Sequence, residues 1–206
     1  MSKLNTLKQS KLAILILGLI LGGAMVSVPW YFAWQAEMRD ANATFFEKLL
    51  DEPEELKAPD SIRTLGSKEL DWVVRDLHGT ETRLKEFSGR VVFLNFWATW
   101  CAPCVAELPG MAGLTRHYKG NDQIEFLFLT NQSAEPVKRL LKRKPHLADL
   151  PYYHYEEEGL PELFHSTGIP YTLILNKRGE VVVEHLGSAL WDTPKVFALL
   201  DDLIAE

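Results

Sequence analysis

Residues 90–104 read RVVFLNFWATWCAPC, an apolar run that stops at a pair of cysteines. Arg90 to Ala98 is dense in β-branched and aromatic residues and does not alternate, the pattern of a strand buried on both faces. The cysteines come directly after it, and the chain of 206 residues has no others. Two are too few for a disulfide framework, which belongs to short, cysteine-dense chains, so Cys101 and Cys104 are read as chemistry, a metal site or an inert buried pair. If a strand ends at Trp100 and a helix begins at Cys101, the first sulfur meets unpaired N–H groups and the positive end of the helix dipole, and both favour a thiolate. Cys104, three residues on, shares that helix face one turn deeper and is close enough to close a disulfide. The asymmetry predicts Cys101 as the attacking thiolate and Cys104 as the thiol that resolves the mixed disulfide. Ala102 and Pro103 put no titrating group between them, which predicts a pair nearer the reducing than the oxidising end.

Around this segment strands and helices alternate. Leu70–Leu77 and Thr82–Leu84 flank His78-Gly79 as a leading hairpin. A helix bent at Pro109 runs from the cysteines to Tyr118. Ile124–Thr130 reads as the next strand, Ala134–Lys144 as a helix capped by Ser133, Pro151–Tyr155 as a strand, and Pro161–His165 as a short helix. Tyr171–Asn176 and Val181–Leu186 bracket the turn Lys177–Glu180, and Thr193-Pro194 opens a closing helix. The order predicts an α/β domain, a central sheet covered on both faces with an antiparallel hairpin at one side.

The charge balance excludes one class of partner. The chain carries 22 basic and 28 acidic side chains, and Lys3, Lys8 and Lys11 precede any acid, so the body is more acidic than the formal net charge of −6. No basic footprint for a phosphate backbone exists, and nucleic acid is not an expected partner. Lys138, Arg139, Lys142, Arg143 and Lys144 are interleaved with Val137, Leu140 and Leu141 and read as the solvated side of an amphipathic helix.

Leu12 to Trp34 contains no charged residue, and at ~1.5 Å per residue a helix of that length spans roughly 34 Å, enough to cross a bilayer core. Lysines before it and mixed charges after it place residues 1–11 in the cytoplasm and the body outside. A cleaved signal peptide ending near Gly22-Gly23-Ala24 is the competing account, but the apolar run continues past Ala24, as an uncleaved anchor requires. Residues 35–61 read as a stalk, with the folded domain at 62–206.

A metal reading was weighed at the cysteines. Cys101, Cys104 and His117 match the opening of a zinc-finger pattern, but Asn121, Asp122 and Gln123 stand where a second histidine is required, so no four-ligand set forms. Copper(I), held by the two thiolates with Met111, remains the alternative, and with it a copper chaperone. His78, His146, His154, His165 and His185 show no ligand spacing.

Asn95–Pro109, NFWATWCAPCVAELP, resembles the active-site segment of thioredoxin-fold proteins, most closely the TlpA-like family of membrane-anchored thiol-disulfide oxidoreductases, which includes cytochrome c maturation reductases. The family's W-C-x-P-C segment matches Trp100–Cys104 without a gap, and its later glycine-hydrophobic-proline signature matches Gly168-Ile169-Pro170. The resemblance covers about residues 62–206 and implies a thioredoxin-like fold, a central mixed sheet flanked by helices, with an inserted helix and strand at 134–155. It implies a redox-active Cys101–Cys104 disulfide, no cofactor, a cis bond before Pro170, and a partly buried Glu107 that exchanges a proton with Cys104. Asn95 stands where thioredoxin carries a buried aspartate, so proton handling falls to Glu107 or water. Trp100, Pro103 and Ile169 become the substrate contacts, Ile169 through backbone pairing and Trp100 as a shield beside the nucleophile. The implied protein is a bilayer-tethered reductase of disulfides in exported proteins, its domain in the periplasm or an equivalent space, recharged by a transmembrane electron donor of the CcdA or DsbD kind.

Overall fold

The computed structural model describes Leu56 and residues 63–206. The expected anchor at 12–34, the tail before it and most of the stalk lie outside the described residues. Within the described residues no helix is long and apolar enough to cross a membrane.

One seven-stranded sheet organises the domain. Its strands are β1 (Val73–Asp76), β2 (Glu81–Arg83), β3 (Val91–Phe96), β4 (Ile124–Thr130), β5 (Tyr152–His154), β6 (Tyr171–Leu175) and β7 (Val181–Leu186). The spatial order is β2-β1-β5-β4-β3-β6-β7. β3 lies inside it, parallel to β4 and antiparallel to β6, with Asn95 opposite both Phe128 and Thr172. All six β3 residues are buried, as the unbroken apolar run predicts. Successive side chains point to opposite faces: Val91 and Phe93 join Phe126, Phe128 and Ile174 on one side, while Val92, Leu94 and Phe96 join Leu127, Leu129 and Leu173 on the other. The same period turns Asn95 toward the first face.

Among the described residues four α-helices accompany the sheet: α1 (Ser67–Leu70), α2 (Ala102–His117), α3 (Ala134–Arg143) and α4 (Pro194–Ala205). The buried apolar residues of α2, α3 and α4 all belong to the core on the Phe93 side. The opposite face is covered too, but by short turns in place of long helices. Trp72, Leu84, Phe87 and Phe164 close it, the last three from single 3₁₀ turns at Leu84–Phe87 and Glu162–Phe164. These connections leave no room for a longer helix, and aromatic area replaces it: the Trp72 ring lies 5.0 Å from Phe164 and 6.4 Å from Phe96.

Local chemistry accounts for the boundaries. The leading strand is shorter than the expected Leu70–Leu77, because Glu69 accepts the Gly66 N–H at 2.8 Å and the first residues form a helical turn instead. Asp76 Oδ1 accepts from the N–H groups of His78 (2.7 Å) and Thr80 (2.9 Å), making the hairpin turn with Gly79 at positive φ. α2 runs through Pro109 as one element. Ser133 occupies the N-cap of α3 without a side-chain bond, and the helix ends at Arg143, since Lys144 precedes Pro145. Thr193 does cap α4, its Oγ1 accepting from Val196 N at 3.4 Å. The Lys138–Arg143 cations are exposed while Val137 and Leu140 are buried, so the basic stripe is the outer side of α3.

Leu94→Ala in the oxidised protein should cost about 2–5 kcal/mol in denaturant unfolding, the range for emptying a closed core, because Leu94 is fully buried between two strands. Arg139→Ala, on the exposed side of α3, should stay within about 0.5 kcal/mol of the parent.

Candidate active site

The chain turns sharply between β3 and α2. Trp97 N still donates to Leu129 O (2.9 Å), as if the strand continued, and Cys101 N donates back to Ala98 O (3.2 Å). Thr99 N is held by the side chain of Gln132 at 2.7 Å, which fixes the loop from the neighbouring strand end. Cys101 is the N-cap of α2, and its Sγ accepts from Cys104 N at 3.2 Å. A cap sulfur thus receives one of the N–H groups that the first helical turn cannot pair internally. Pro103 takes the second helical position, where a missing N–H costs the helix nothing. This geometry favours a charged sulfur at Cys101.

Cys101 and Cys104 form a disulfide with Cα atoms 5.2 Å apart. Cys101 keeps 5% of its surface and Cys104 none, so the difference between them has the expected sign, although both are more enclosed than a freely reacting thiol. Trp100, the residue before Cys101, is 72% exposed. Across the sulfur, the Ile169–Pro170 peptide is cis. Ile169 O lies 3.9 Å from Cys101 Sγ, and Pro170 O is occupied by Gly187 N at 2.9 Å. Leu186 is the other exposed large apolar side chain among the described residues, opposite Tyr171 in the β6–β7 register and against Gly168. It escaped the sequence reading because a strand-end leucine gives no hint of being left uncovered.

Beneath the disulfide sits Glu107, buried more completely than the expected partial burial. Its carboxyl is met by three N–H donors. Asn95 Nδ2 donates to Oε1 at 3.0 Å, and Ala189 N and Trp191 Nε1 donate to Oε2 at 3.2 and 3.1 Å. Asn95 Nδ2 also donates to Thr172 Oγ1 at 3.0 Å, which leaves Asn95 Oδ1 without a partner. Burial drives the Glu107 proton affinity up and the three donors pull it down; the outcome is a carboxyl pushed up to about 7. Asn95 and Glu107 were legible in the sequence through the family resemblance, one at the position of thioredoxin's buried aspartate and the other as the acid near the thiols. Ala189, Trp191 and Thr172 were not, since each reaches the site from more than 70 positions away.

Three of the histidines lie in other settings. His154 pairs with Gln132 O and Glu156, His165 with Leu160 O, and His117 packs between the Tyr118 and Phe197 rings. Among the described residues no group of His, Cys, Asp and Glu is arranged to hold a metal ion.

The buried carboxyl makes a stability prediction. Its folded-state affinity for a proton, about 7, exceeds the ordinary carboxyl value of 4.5, so the folded protein binds this proton more tightly than the unfolded chain. Its stabilising contribution is therefore complete below about pH 4.5 and is lost as pH rises toward 7. Denaturant unfolding of the oxidised protein should show a decline of roughly 3 kcal/mol across that window relative to Glu107→Gln. Parallel pH profiles for the two proteins would rule out this titration.

Known proteins resemble this chain in sequence and fold. The model of the AhpC/TSA family matches residues 65–184. The thiol-disulfide oxidoreductase ResA of Halalkalibacterium halodurans is 31% identical over 129 residues, covering 62% of this chain and 71% of that protein. ResA of Bacillus thuringiensis is 34% identical over 127 residues, covering 60% and 70%. Among solved structures, a thiol:disulfide interchange protein of the thioredoxin family from Chlorobium tepidum superposes with a TM-score of 0.55 at 19% identity, over 71% of this chain and 99% of that one, a likeness of fold.

Proposed function

The chain belongs to the AhpC/TSA family and is a TlpA-like thiol-disulfide oxidoreductase, and from that premise we propose that it works as a membrane-tethered reductase of disulfides in exported proteins. The observation that carries the direction of roles is the N-cap position of Cys101. Reduced, that sulfur is the thiolate of the pair and the one with residual surface. It attacks one sulfur of the substrate disulfide; that bond breaks, the other substrate sulfur leaves as thiolate, and a mixed disulfide with Cys101 remains. Cys104 then gives its proton to Glu107 and attacks Cys101 Sγ. The Cys101–Cys104 bond forms, the second substrate sulfur leaves and takes up the proton, and two electrons have passed to the substrate.

Trp100 and Pro103 from the turn and the Ile169 carbonyl across the sulfur form the substrate contact, with an extended segment laid beside Pro170. The apolar segment at 12–34 supports a bilayer anchor and delivery of the domain to the periplasm or an equivalent space. Because such a space is oxidising, the pair needs a donor of electrons, which we assign to a transmembrane carrier of the CcdA or DsbD kind. The family resemblance makes apocytochrome c one candidate substrate, beside a copper-site assembly factor and a damaged envelope protein, each of which presents cysteines.

Insulin reduction by the full chain should vanish in Cys101→Ser, a loss of at least about 100-fold, while Cys104→Ala should retain the first step and accumulate a mixed disulfide that mass spectrometry identifies in cells. Retained turnover in Cys101→Ser would overturn the assignment of the nucleophile. Tight, stoichiometric copper(I) binding without turnover would favour the chaperone reading instead.

A further inference from the structure

We propose that Trp191 is a positioning residue of the redox site, its indole N–H clasping Glu107 Oε2 so that the buried carboxyl is held as a proton acceptor on the turn of α2 that carries Cys104. The inference deepens the preceding reading and rests on it, since it takes Glu107 to receive the Cys104 proton.

The geometry is specific. Trp191 is fully buried, and its ring is fixed on two sides: edge-on to Phe93 at 5.3 Å and to His185 at 5.6 Å. The direction of its N–H is therefore not free. A buried indole needs an acceptor for that N–H, and Glu107 is the one it has, at 3.1 Å. The loop carrying it is tied down throughout. Gly187 N holds Pro170 O, Ala189 N holds the same Glu107 oxygen, and Thr193 caps α4. Between them Asp192 lies against α2 so closely that a Cβ at Gly110 would come within 2.8 Å of its Oδ1. Glycine inside a helix costs about 0.5–1 kcal/mol relative to alanine; at Gly110, three residues beyond Glu107, it leaves the space through which the loop reaches the helix.

The pattern of donors matches an ionised carboxyl. Oε2 has two N–H partners and Oε1 has one from Asn95. A neutral acid would need an acceptor for its own O–H, and the nearest kind available, Asn95 Oδ1, has no partner as placed. Turning the carboxamide over would serve the neutral acid, whereas the Trp191 N–H, which donates and never accepts, is bound more strongly by the anion than by the neutral acid and so favours ionisation. The titratable neighbours of this clasp are the cysteine pair on α2, Asp192 on the loop, and His185 on β7, which burial holds below the ordinary imidazole value.

The test is Trp191→Phe in the full chain, which keeps an aromatic ring and deletes the N–H. Reduced protein is mixed with a disulfide peptide, quenched in acid, and the closing of the Cys101–Cys104 bond is counted by mass across pH. The parent should show a limb near pH 7 that Glu107→Gln removes. In Trp191→Phe the limb should move up by about one pH unit, a tenfold change in proton affinity, with rates converging on the parent at alkaline pH. A limb unmoved, or a uniform slowing at every pH, overturns the proposal. Should the variant fold poorly, the Trp191 indole N–H resonance of the parent decides: it should titrate near pH 7 and lose that titration in Glu107→Gln, and a resonance flat across the range overturns it. If Glu107→Gln keeps the parental limb, the acid is not the acceptor, and both readings fall; if it loses the limb while Trp191→Phe does not move it, only the role of Trp191 falls.

Discussion

A carboxyl group withdrawn from water loses its hydration, a cost of several kcal/mol unless protein groups replace what the water supplied. Much of this domain's interior is arranged around that replacement at Glu107. Asn95 must face inward from β3, Thr172 must lie beside it on β6 to take the second carboxamide hydrogen, and the loop after β7 must come within reach of α2. Each of these requirements fixes an element: the strand register pairs Asn95 with Thr172, and the small residue at Gly110 admits Asp192 and with it Trp191. The acid is thus joined by direct hydrogen bonds to β3, to β6 through Asn95, and to the closing loop, and it lies on the helix that starts at the cysteines.

Above it the two sulfurs are held by different means. Cys101 belongs to the end of the strand and the first unpaired N–H groups of the helix, a setting made by the backbone alone. Cys104 belongs to the helix interior and is sealed. The outward and inward sides of the pair consequently have opposite character: Trp100, Leu186 and the Ile169 carbonyl lie where a second protein can touch them, and the polar groups that manage the proton lie where it cannot. Separating contact from proton handling lets the outer surface meet different chains without disturbing the carboxyl.

What the sequence disclosed follows the range of the forces involved. Local patterns were readable: an unalternating run for β3, the Thr193-Pro194 start of α4, the turn at Asp76–Thr80, and the cysteines at a strand–helix junction. Asn95 and Glu107 could be picked out only through the family resemblance, which places one where thioredoxin has a buried aspartate and the other at the acid near the thiols; the strand and helix periods are consistent with that placement. Long-range satisfaction was not readable. Nothing in Ser188-Ala189-Leu190-Trp191 announces that its N–H groups meet an acid 82 and 84 positions earlier. Nor does the sequence show that aromatic packing from 3₁₀ turns would stand in for helices on the Trp72 face, since a short apolar stretch reads alike in either form.

The proposed proton exchange between Cys104 and Glu107 sets a condition on the acid that its environment meets. A group that must accept a proton from a thiol and return it within the same cycle works best when its two forms have similar energies at the working pH. Left to burial alone, Glu107 would be locked in its neutral form; with three full-strength donors in an open site it would be locked in its charged form. Its value of about 7 is the compromise between an apolar surround and the Asn95, Ala189 and Trp191 N–H groups. Since two of those three donors come from one loop, the placement of that loop on Gly110 and Gly113 governs the balance, and the reactivity of the deeper cysteine is set by residues that touch neither sulfur.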